Sequence, residues 1–165
     1  MAISKDKKRD IIAKLESAFK EASSVAFVGF SKLTVKDSSA MRKELSKAGV
    51  NYFVAKKTLI RRALAHQGYS GEVPLLPGEV AVAWTKGEEV TAPARGVHDY
   101  GKKLKGAIAL LGGVFENGFL DKDKMTVIAT IPPMNVLRGM FVNVINSPIQ
   151  GLAIALNEIS KKKSA

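Results

Sequence analysis

Short β-forming runs alternate with segments of helical periodicity over most of the chain, and this alternation restricts the folds available to it. Residues 23–30 (SSVAFVGF), 50–55 (VNYFVA) and 79–85 (EVAVAWT) each predict a strand. Residues 106–120 predict one or two more, and the paired glycines within them indicate a β-bulge. Strands and helices in this order predict an α/β fold, a single globular α/β sandwich.

Five segments carry apolar residues three or four positions apart, which is the spacing of one helix face. Ser4 stands where an N-cap would begin the first helix, and Asp121 where one would begin the last. Gly49 stands where the second helix would end. The predicted helices cover residues 5–22, 34–48, 56–66, 88–103 and 121–130.

Pro132 and Pro133 predict the end of the globular part, because proline continues neither a helix nor a sheet ladder. The chain then divides into an α/β domain, residues 1–131, and a tail, residues 132–165. The tail is helical in character, and the Ser-Pro pair at 147–148 predicts a kink. The expected architecture is one sandwich domain followed by a long kinked C-terminal α-helix.

Apolar residues cover nearly every side of the tail helix, which indicates that the helix is buried against something. A short repeat lies within it, because the pattern of Gly139–Val144 recurs as Gly151–Leu156. Two similar apolar segments predict two similar partner sites. A tail that folds back onto its own domain would explain the same pattern.

The positive charge is concentrated near the N-terminus. The net charge is +11, of which residues 1–66 carry +9, residues 67–132 carry −1 and residues 133–165 carry +3. Such an excess suggests a polyanionic partner, with nucleic acid ahead of a membrane surface. The site for this partner is expected in the first 66 residues.

The segment 55–64 (AKKTLIRRAL) is the most informative. On a helix with about 100° per residue, its polar donors fall within an arc of about 140°, opposite its apolar residues. Lys56 and Lys57 also lie in the first turn, where the helix dipole repels cations unless a phosphate is near. A solvated helix face would carry the same pattern. The outward donors are Lys57, Thr58, Arg61 and Arg62.

Other cations favour the same interpretation. Lys5, Lys7, Lys8 and Arg9 crowd the start of the first helix. Lys32, in the loop after the first strand, would lie at the same edge of the sheet if that strand is central.

Several function classes find no support in the sequence. The chain has no cysteine, which excludes disulfides and thiolate chemistry. His66 and His98 are isolated, and no phosphate-binding glycine motif is present. We therefore predict no enzyme, no metal and no cofactor. The N-terminus lacks a secretory signal, so we expect a cytoplasmic protein, and the polar residues within 136–156 make the tail a poor membrane span.

The whole chain resembles the bacterial ribosomal stalk-base family, the tenth protein of the large ribosomal subunit. The resemblance is carried by MAISKDKK, SSVAFVGFSKLTV, RKELSKAGVNYFVAKKTLIRRAL, GGVFENGFLD, ATIPP and SPIQGLAIALNEI. It implies an α/β domain that binds large-subunit ribosomal RNA beside the eleventh large-subunit protein. It also implies a C-terminal helix that carries dimers of the acidic stalk protein, which recruit GTP-bound translation factors.

Transferred to this sequence, the resemblance assigns two sets of residues. The tail has room for two stalk dimers where relatives with a longer tail hold three. RNA contacts are implied at Lys5, Lys7, Lys8, Lys56, Lys57, Thr58, Arg61 and Arg62. Lys32 is added to this set because of its expected place at the same edge of the sheet. Stalk-dimer contacts are expected at Leu137, Met140, Phe141, Val144, Ile145, Ile149, Leu152, Ile154, Leu156 and Ile159.

The sequence departs from the family pattern in places, and other functions stay open. The family usually has Asn where this chain has Lys57, and an aromatic-Arg-Gly-Leu loop where it has residues 30–33. Lys32 is the candidate to replace that arginine. The alternatives are a free-standing regulatory protein that binds a messenger leader, a small α/β enzyme or nucleotide-binding module, and a homo-oligomer sealed through the tail.

Overall fold

The computed structural model describes residues 5–31, 33–87, 89–104 and 106–163 of the chain. The chain divides into two compact units, with the boundary between Ile131 and Pro132. The second unit contains helix α6 (Met134–Lys163). The first unit contains helices α1 (Lys5–Glu21), α2 (Val35–Lys47), α3 (Lys57–Ala65), α4 (Ala92–Lys103) and α5 (Lys122–Thr130), with strands β1 (Ser24–Phe30), β2 (Val50–Val54), β3 (Glu79–Thr85), β4 (Ile108–Phe115) and β5 (Gly118–Asp121).

The strands form one antiparallel sheet in the order β2-β3-β1-β4-β5, which places β1 at the centre. Phe30, the last residue of β1, pairs with Glu79, the first residue of β3. Val54, the last residue of β2, pairs with Ala81 of β3. β1 and β2 therefore both finish at the end of the sheet where β3 begins.

Helices cover both faces of this sheet. On one face, α1 and α3 bury Phe19 and Ile60 against Phe27 of the central strand. On the other face, α2, α4 and α5 bury residues such as Met41 and Met125 against Ala26 and Val28. Successive residues of β1 point to opposite faces, so this strand contributes to both halves of the core. The predicted α/β sandwich is confirmed, with the sheet as its middle layer.

The predicted helix 88–103 begins later than expected. The structure starts α4 at Ala92, with Thr91 as its N-cap and a proline in the first turn. Proline fits there because its missing N–H would have no partner within the helix. Residue 88 lies outside the described residues, as does the N-cap expected at Ser4.

The segment 106–120 forms two strands, and the β-bulge expected at its paired glycines is confirmed. The pairing of β1 with β4 shifts register at this point, since Phe27 faces Gly112 while Val28 faces Leu110. The chain then turns through Glu116 and Asn117, both with positive φ, into β5. Asp121 occupies the N-cap position of α5 as predicted, but its side chain makes no capping hydrogen bond.

α6 is one helix of 30 residues, and Pro148 lies inside it. Proline removes one backbone hydrogen bond and its ring crowds the carbonyl four residues earlier, at Val144. The helical tail is therefore confirmed, while the kink at Pro148 stays a prediction.

Candidate nucleic-acid interface and the apolar C-terminal helix

Helices α1 and α3 lie side by side on one face of the sheet. His66, the C-cap of α3, places its Nδ1 atom 2.8 Å from Oε1 of Glu16. The amide of Gln67 donates to the Glu16 carbonyl at 3.3 Å. The hydroxyl of Tyr69 donates to the carbonyl of Phe19 at 3.1 Å. The residues at the end of α3 and just beyond it are thus joined to the second half of α1.

The connections of these helices fix their direction. Two residues link α1 to β1, and two residues link β2 to α3, so each helix folds back along its own strand. β1 and β2 are both antiparallel to β3, and hence parallel to each other. α1 and α3 therefore run the same way and begin at the same end of the sheet. α2, which follows β1, also begins there.

The predicted division of α3 into two faces is confirmed. Its apolar residues Leu59, Ile60, Ala63 and Leu64 are buried. Its polar donors Lys57, Thr58, Arg61 and Arg62 are all exposed. One side of the helix packs on the sheet while four donors point outward together.

Electrostatics at the start of α3 favour an anion. Lys56 is the N-cap, its side chain makes no capping hydrogen bond, and the first turn contains no acidic residue. Among the described residues, Lys56, Lys57, Arg61 and Arg62 form no ion pair. Two lysines and the positive end of the helix dipole add their potentials at this point. A phosphate would satisfy both.

The cations of α1 extend this basic end of the sheet. Lys7, Lys8 and Arg9 are exposed in the first turns of α1, with Asp6 among them. The side chain of Lys5 and the whole of Lys32 lie outside the described residues. The structure thus brings the start of α1 to the end of the sheet that carries Lys56 and Lys57.

A groove at the same end of the sheet was missed by the sequence analysis. It has a volume of about 360 Å³. Its walls come from three segments that are far apart in the chain, the end of β1, the β2–α3 junction and the start of β3, so no local pattern signals it. The described residues that line it are Phe30, Val54, Ala55, Lys56, Lys57, Gly78, Glu79 and Val80.

α6 buries none of its side chains. Among its large apolar residues, exposure ranges from 37% at Leu137 to 70% at Val144. The residues predicted to contact stalk dimers are all exposed: Leu137, Met140, Phe141, Val144, Ile145, Ile149, Leu152, Ile154, Leu156 and Ile159. An apolar surface of this length is typical of a helix that packs against another surface.

By length and composition alone, α6 could also cross a membrane. Its mean hydropathy reaches 1.3 over 18 residues, and that stretch is not buried. Arg138 and several amides interrupt the apolar surface, and such residues are costly in a bilayer. The absence of a membrane partner therefore stays a prediction.

The two histidines are ordinary residues of the fold, as expected, since His66 is exposed and pairs with Glu16 and His98 is partly buried. Within the described part of the chain, no cluster of three or more His, Cys, Asp or Glu residues could hold a metal ion.

Residues 3–102 of the chain match the family described as Ribosomal protein L10. A curated relative from Clostridium tetani (strain Massachusetts / E88), named large ribosomal subunit protein uL10, is 31% identical over 93% of this chain and 88% of its own length. A relative of the same name from Shouchella clausii (strain KSM-K16) is 30% identical over 96% of this chain and 94% of its own length. The similarity covers nearly the full length of both relatives.

Proposed function

Because the chain belongs to the ribosomal protein L10 family, we propose that it binds large-subunit ribosomal RNA at the basic end of its sheet and anchors acidic stalk-protein dimers on α6. Membership makes the chain a structural, non-enzymatic protein of the large ribosomal subunit. Its partners are therefore ribosomal RNA and ribosomal proteins, the eleventh large-subunit protein being the neighbour we propose. It would act in the cytoplasmic ribosome.

One observation carries the RNA proposal. Thr58, Arg61 and Arg62 lie exposed on α3 while the opposite side of the helix is buried in the core. The donors cannot turn inward without loss of the core contacts of Ile60 and Leu64. The packed helix therefore presents these side chains to solvent, where they can contact phosphates.

RNA binding by such a surface is driven largely by the release of counterions from phosphates. Each neutralised phosphate makes the observed affinity fall more steeply with salt concentration. Lys7 and Lys8 would add contacts on the α1 side of the same surface. We propose the same role for Lys5 and Lys32.

Burial of apolar surface would hold the stalk dimers. At about 25 cal/mol per Å², the exposed side chains of α6 would contribute strongly once covered. The repeat of Gly139–Val144 as Gly151–Leu156 supports two dimers, one on each segment. Mobile parts of the dimers would then meet translation factors at high local concentration. The chain itself makes and breaks no bond.

The RNA proposal is tested with Arg61→Glu and Arg62→Glu in one chain. RNA affinity in a filter-binding titration should fall sharply, while capture of stalk dimers should stay unchanged. The control is Lys122→Glu with Lys124→Glu, which changes the charge equally on α5, on the opposite face of the sheet. Equal RNA affinity of the Arg61/Arg62 variant and the control would refute the proposal.

The stalk proposal is tested by co-expression with the acidic stalk protein, followed by native mass measurement. A complex of one chain with two dimers is expected. Deletion of residues 134–165 should abolish capture and leave a folded, soluble domain. A truncated chain that unfolds would show that the tail belongs to its own core, and self-association of the full chain without stalk protein would favour a homo-oligomer.

A further inference from the structure

The groove at the basic end of the sheet combines apolar walls with one carboxylate. Phe30 and Val54 supply apolar surface, Lys56 and Lys57 supply cations, and Glu79 is the acidic residue. Its volume, about 360 Å³, lies at the lower end of the range of small-molecule pockets, roughly 300–1,000 Å³. This volume is large enough for a single nucleobase.

Sheet register places the key side chains together. Phe30 and Glu79 are directly opposite each other in the antiparallel ladder, and such side chains point to the same face. Val54 is opposite Ala81, two residues beyond Glu79, so it points to that face as well. An aromatic ring, a valine that is 41% exposed and a carboxylate therefore meet where the sheet ends.

Glu79 places a carboxylate in a groove that also contains two lysines. Among the described residues, Glu79 forms no ion pair, although Lys56 and Lys57 line the same groove. An ionised carboxylate only accepts hydrogen bonds, and it repels a phosphate. Glu79 thus favours a group with N–H donors, while Lys56 and Lys57 favour phosphates.

We propose that this groove binds an unpaired guanine base of the RNA. The base would lie against Phe30 and Val54 with its Watson–Crick edge toward Glu79. Lys56 and Lys57 would contact the phosphates on either side. Recognition of splayed, unpaired bases by stacking and edge contacts is the usual way in which proteins recognise RNA sequence. The inference rests on the proposed RNA-binding function and adds a base-specific contact to it.

Guanine fits the carboxylate better than the other bases. Its Watson–Crick edge presents two parallel N–H donors, at N1 and N2, which match the two oxygens of Glu79 in a bidentate pair. Adenine and cytosine offer one amino donor beside a ring nitrogen acceptor, which would face the second oxygen. Uracil places its single N–H between two carbonyl oxygens. The expected order of affinity is guanine, then adenine and cytosine, then uracil.

The test uses the full chain and four single-stranded RNA decamers. Each decamer is oligouridine with one central position occupied by G, A, C or U. The unsubstituted chain should bind the G-containing decamer about tenfold more tightly than oligouridine, a preference typical of one bidentate base contact. Glu79→Gln, an isosteric change at an exposed site, should remove most of that preference without a loss of affinity for oligouridine.

Three outcomes separate the claims. If Glu79→Gln changes the affinity for all four RNAs by the same factor, Glu79 acts only through its charge, and this result would overturn the inference. Equal binding of the four RNAs by the unsubstituted chain, with binding still dependent on Arg61 and Arg62, would overturn the inference and leave the proposed function standing. No binding to the decamers or to large-subunit ribosomal RNA would overturn both.

Discussion

Nδ1 of His66 lies 2.8 Å from Oε1 of Glu16, and this contact joins the end of α3 to the fourth turn of α1. The imidazole is 60% exposed, so water screens the pair. Exposed pairs of this kind contribute less than about 1 kcal/mol. The alignment of the two basic helices must therefore depend mainly on the apolar side chains beneath them, such as Leu15 and Leu64, which are almost fully buried.

The first prediction compares these two contributions within one helix. Leu64→Ala should lower the free energy of unfolding by about 2–5 kcal/mol, because it leaves a cavity beneath α3. His66→Ala should lower it by less than about 1 kcal/mol. Urea denaturation of both variants measures the difference. A larger loss for His66→Ala than for Leu64→Ala would show that the exposed pair holds the helices together.

The second prediction concerns the close approach of α5 to β4. A Cβ atom on Gly113 would lie 2.6 Å from Cε of Met125 and would overlap the backbone oxygen of Val25. Met125 is flexible but the backbone of β1 is not, so Gly113→Ala should destabilise the domain by about 1–3 kcal/mol. Gly139→Ala is the control, since a Cβ there meets nothing within 4 Å. Equal thermal unfolding of the two variants would contradict the prediction.

Local periodicity was enough to predict α3. Leu59, Ile60 and Leu64 are buried and Arg61 and Arg62 are exposed because one nine-residue helix both carries the pattern and meets the sheet. The bulge at the paired glycines was predictable for the same reason, since a strand interior seldom contains glycines without a backbone irregularity.

Features that depend on strand order were not predictable. The groove forms only because β3 lies between β2 and β1, so that Glu79 comes next to Phe30 across the ladder. No spacing in the sequence indicates this pairing. The pair between His66 and Glu16 is similar, because it needs α1 and α3 on the same face of the sheet.

A further contact joins α2 to α4 and depends on pH. Burial raises the pKa of Tyr100 to about 12, and a hydrogen bond to Glu44 adds to the rise. The same hydrogen bond lowers the pKa of the Glu44 carboxyl. The raised pKa of Tyr100 stabilises the fold fully below its usual value of 10, and this contribution is lost as the pH rises through about 12. The lowered pKa of Glu44 stabilises the fold above its usual value of 4.5, and this contribution is lost as the pH falls through the lowered value.

The third prediction follows from these signs. Tyr100→Phe removes the hydroxyl, so the unsubstituted chain should exceed it in free energy of unfolding by a constant amount between about pH 5 and pH 10. The difference should shrink at both extremes. Tyr69→Phe is the control, because burial alone raises the pKa of Tyr69 and its hydroxyl donates to a backbone carbonyl. The difference in free energy of unfolding between the unsubstituted chain and Tyr69→Phe should shrink only at alkaline pH. Denaturant titrations at each pH measure both differences.

The fourth prediction uses the salt dependence of RNA binding. Each phosphate contact adds about 0.7 to 0.9 to the slope of log affinity against log salt concentration. Arg61→Gln with Arg62→Gln should therefore reduce the slope by about 1.4–1.8. Lys122→Gln with Lys124→Gln, on the opposite face, should leave it unchanged. A slope that is equal in the Arg61/Arg62 variant and the unsubstituted chain would mean that these arginines do not contact phosphate.

The fifth prediction concerns the two apolar segments of α6. Met140 and Leu152 occupy equivalent places in the repeat, and both are more than half exposed, at 51% and 64%. An aspartate at either place would have to be buried without a partner when a stalk dimer covers it, so Met140→Asp and Leu152→Asp should each lose one dimer and the double variant both. Asn143→Asp adds the same charge at a residue that is already polar and should keep two dimers. Native mass measurement counts the dimers directly. Loss of both dimers from a single variant would mean that the two segments act as one site with a shared partner. Pro148 lies between the segments, so damage at one of two separate sites should not reach the other.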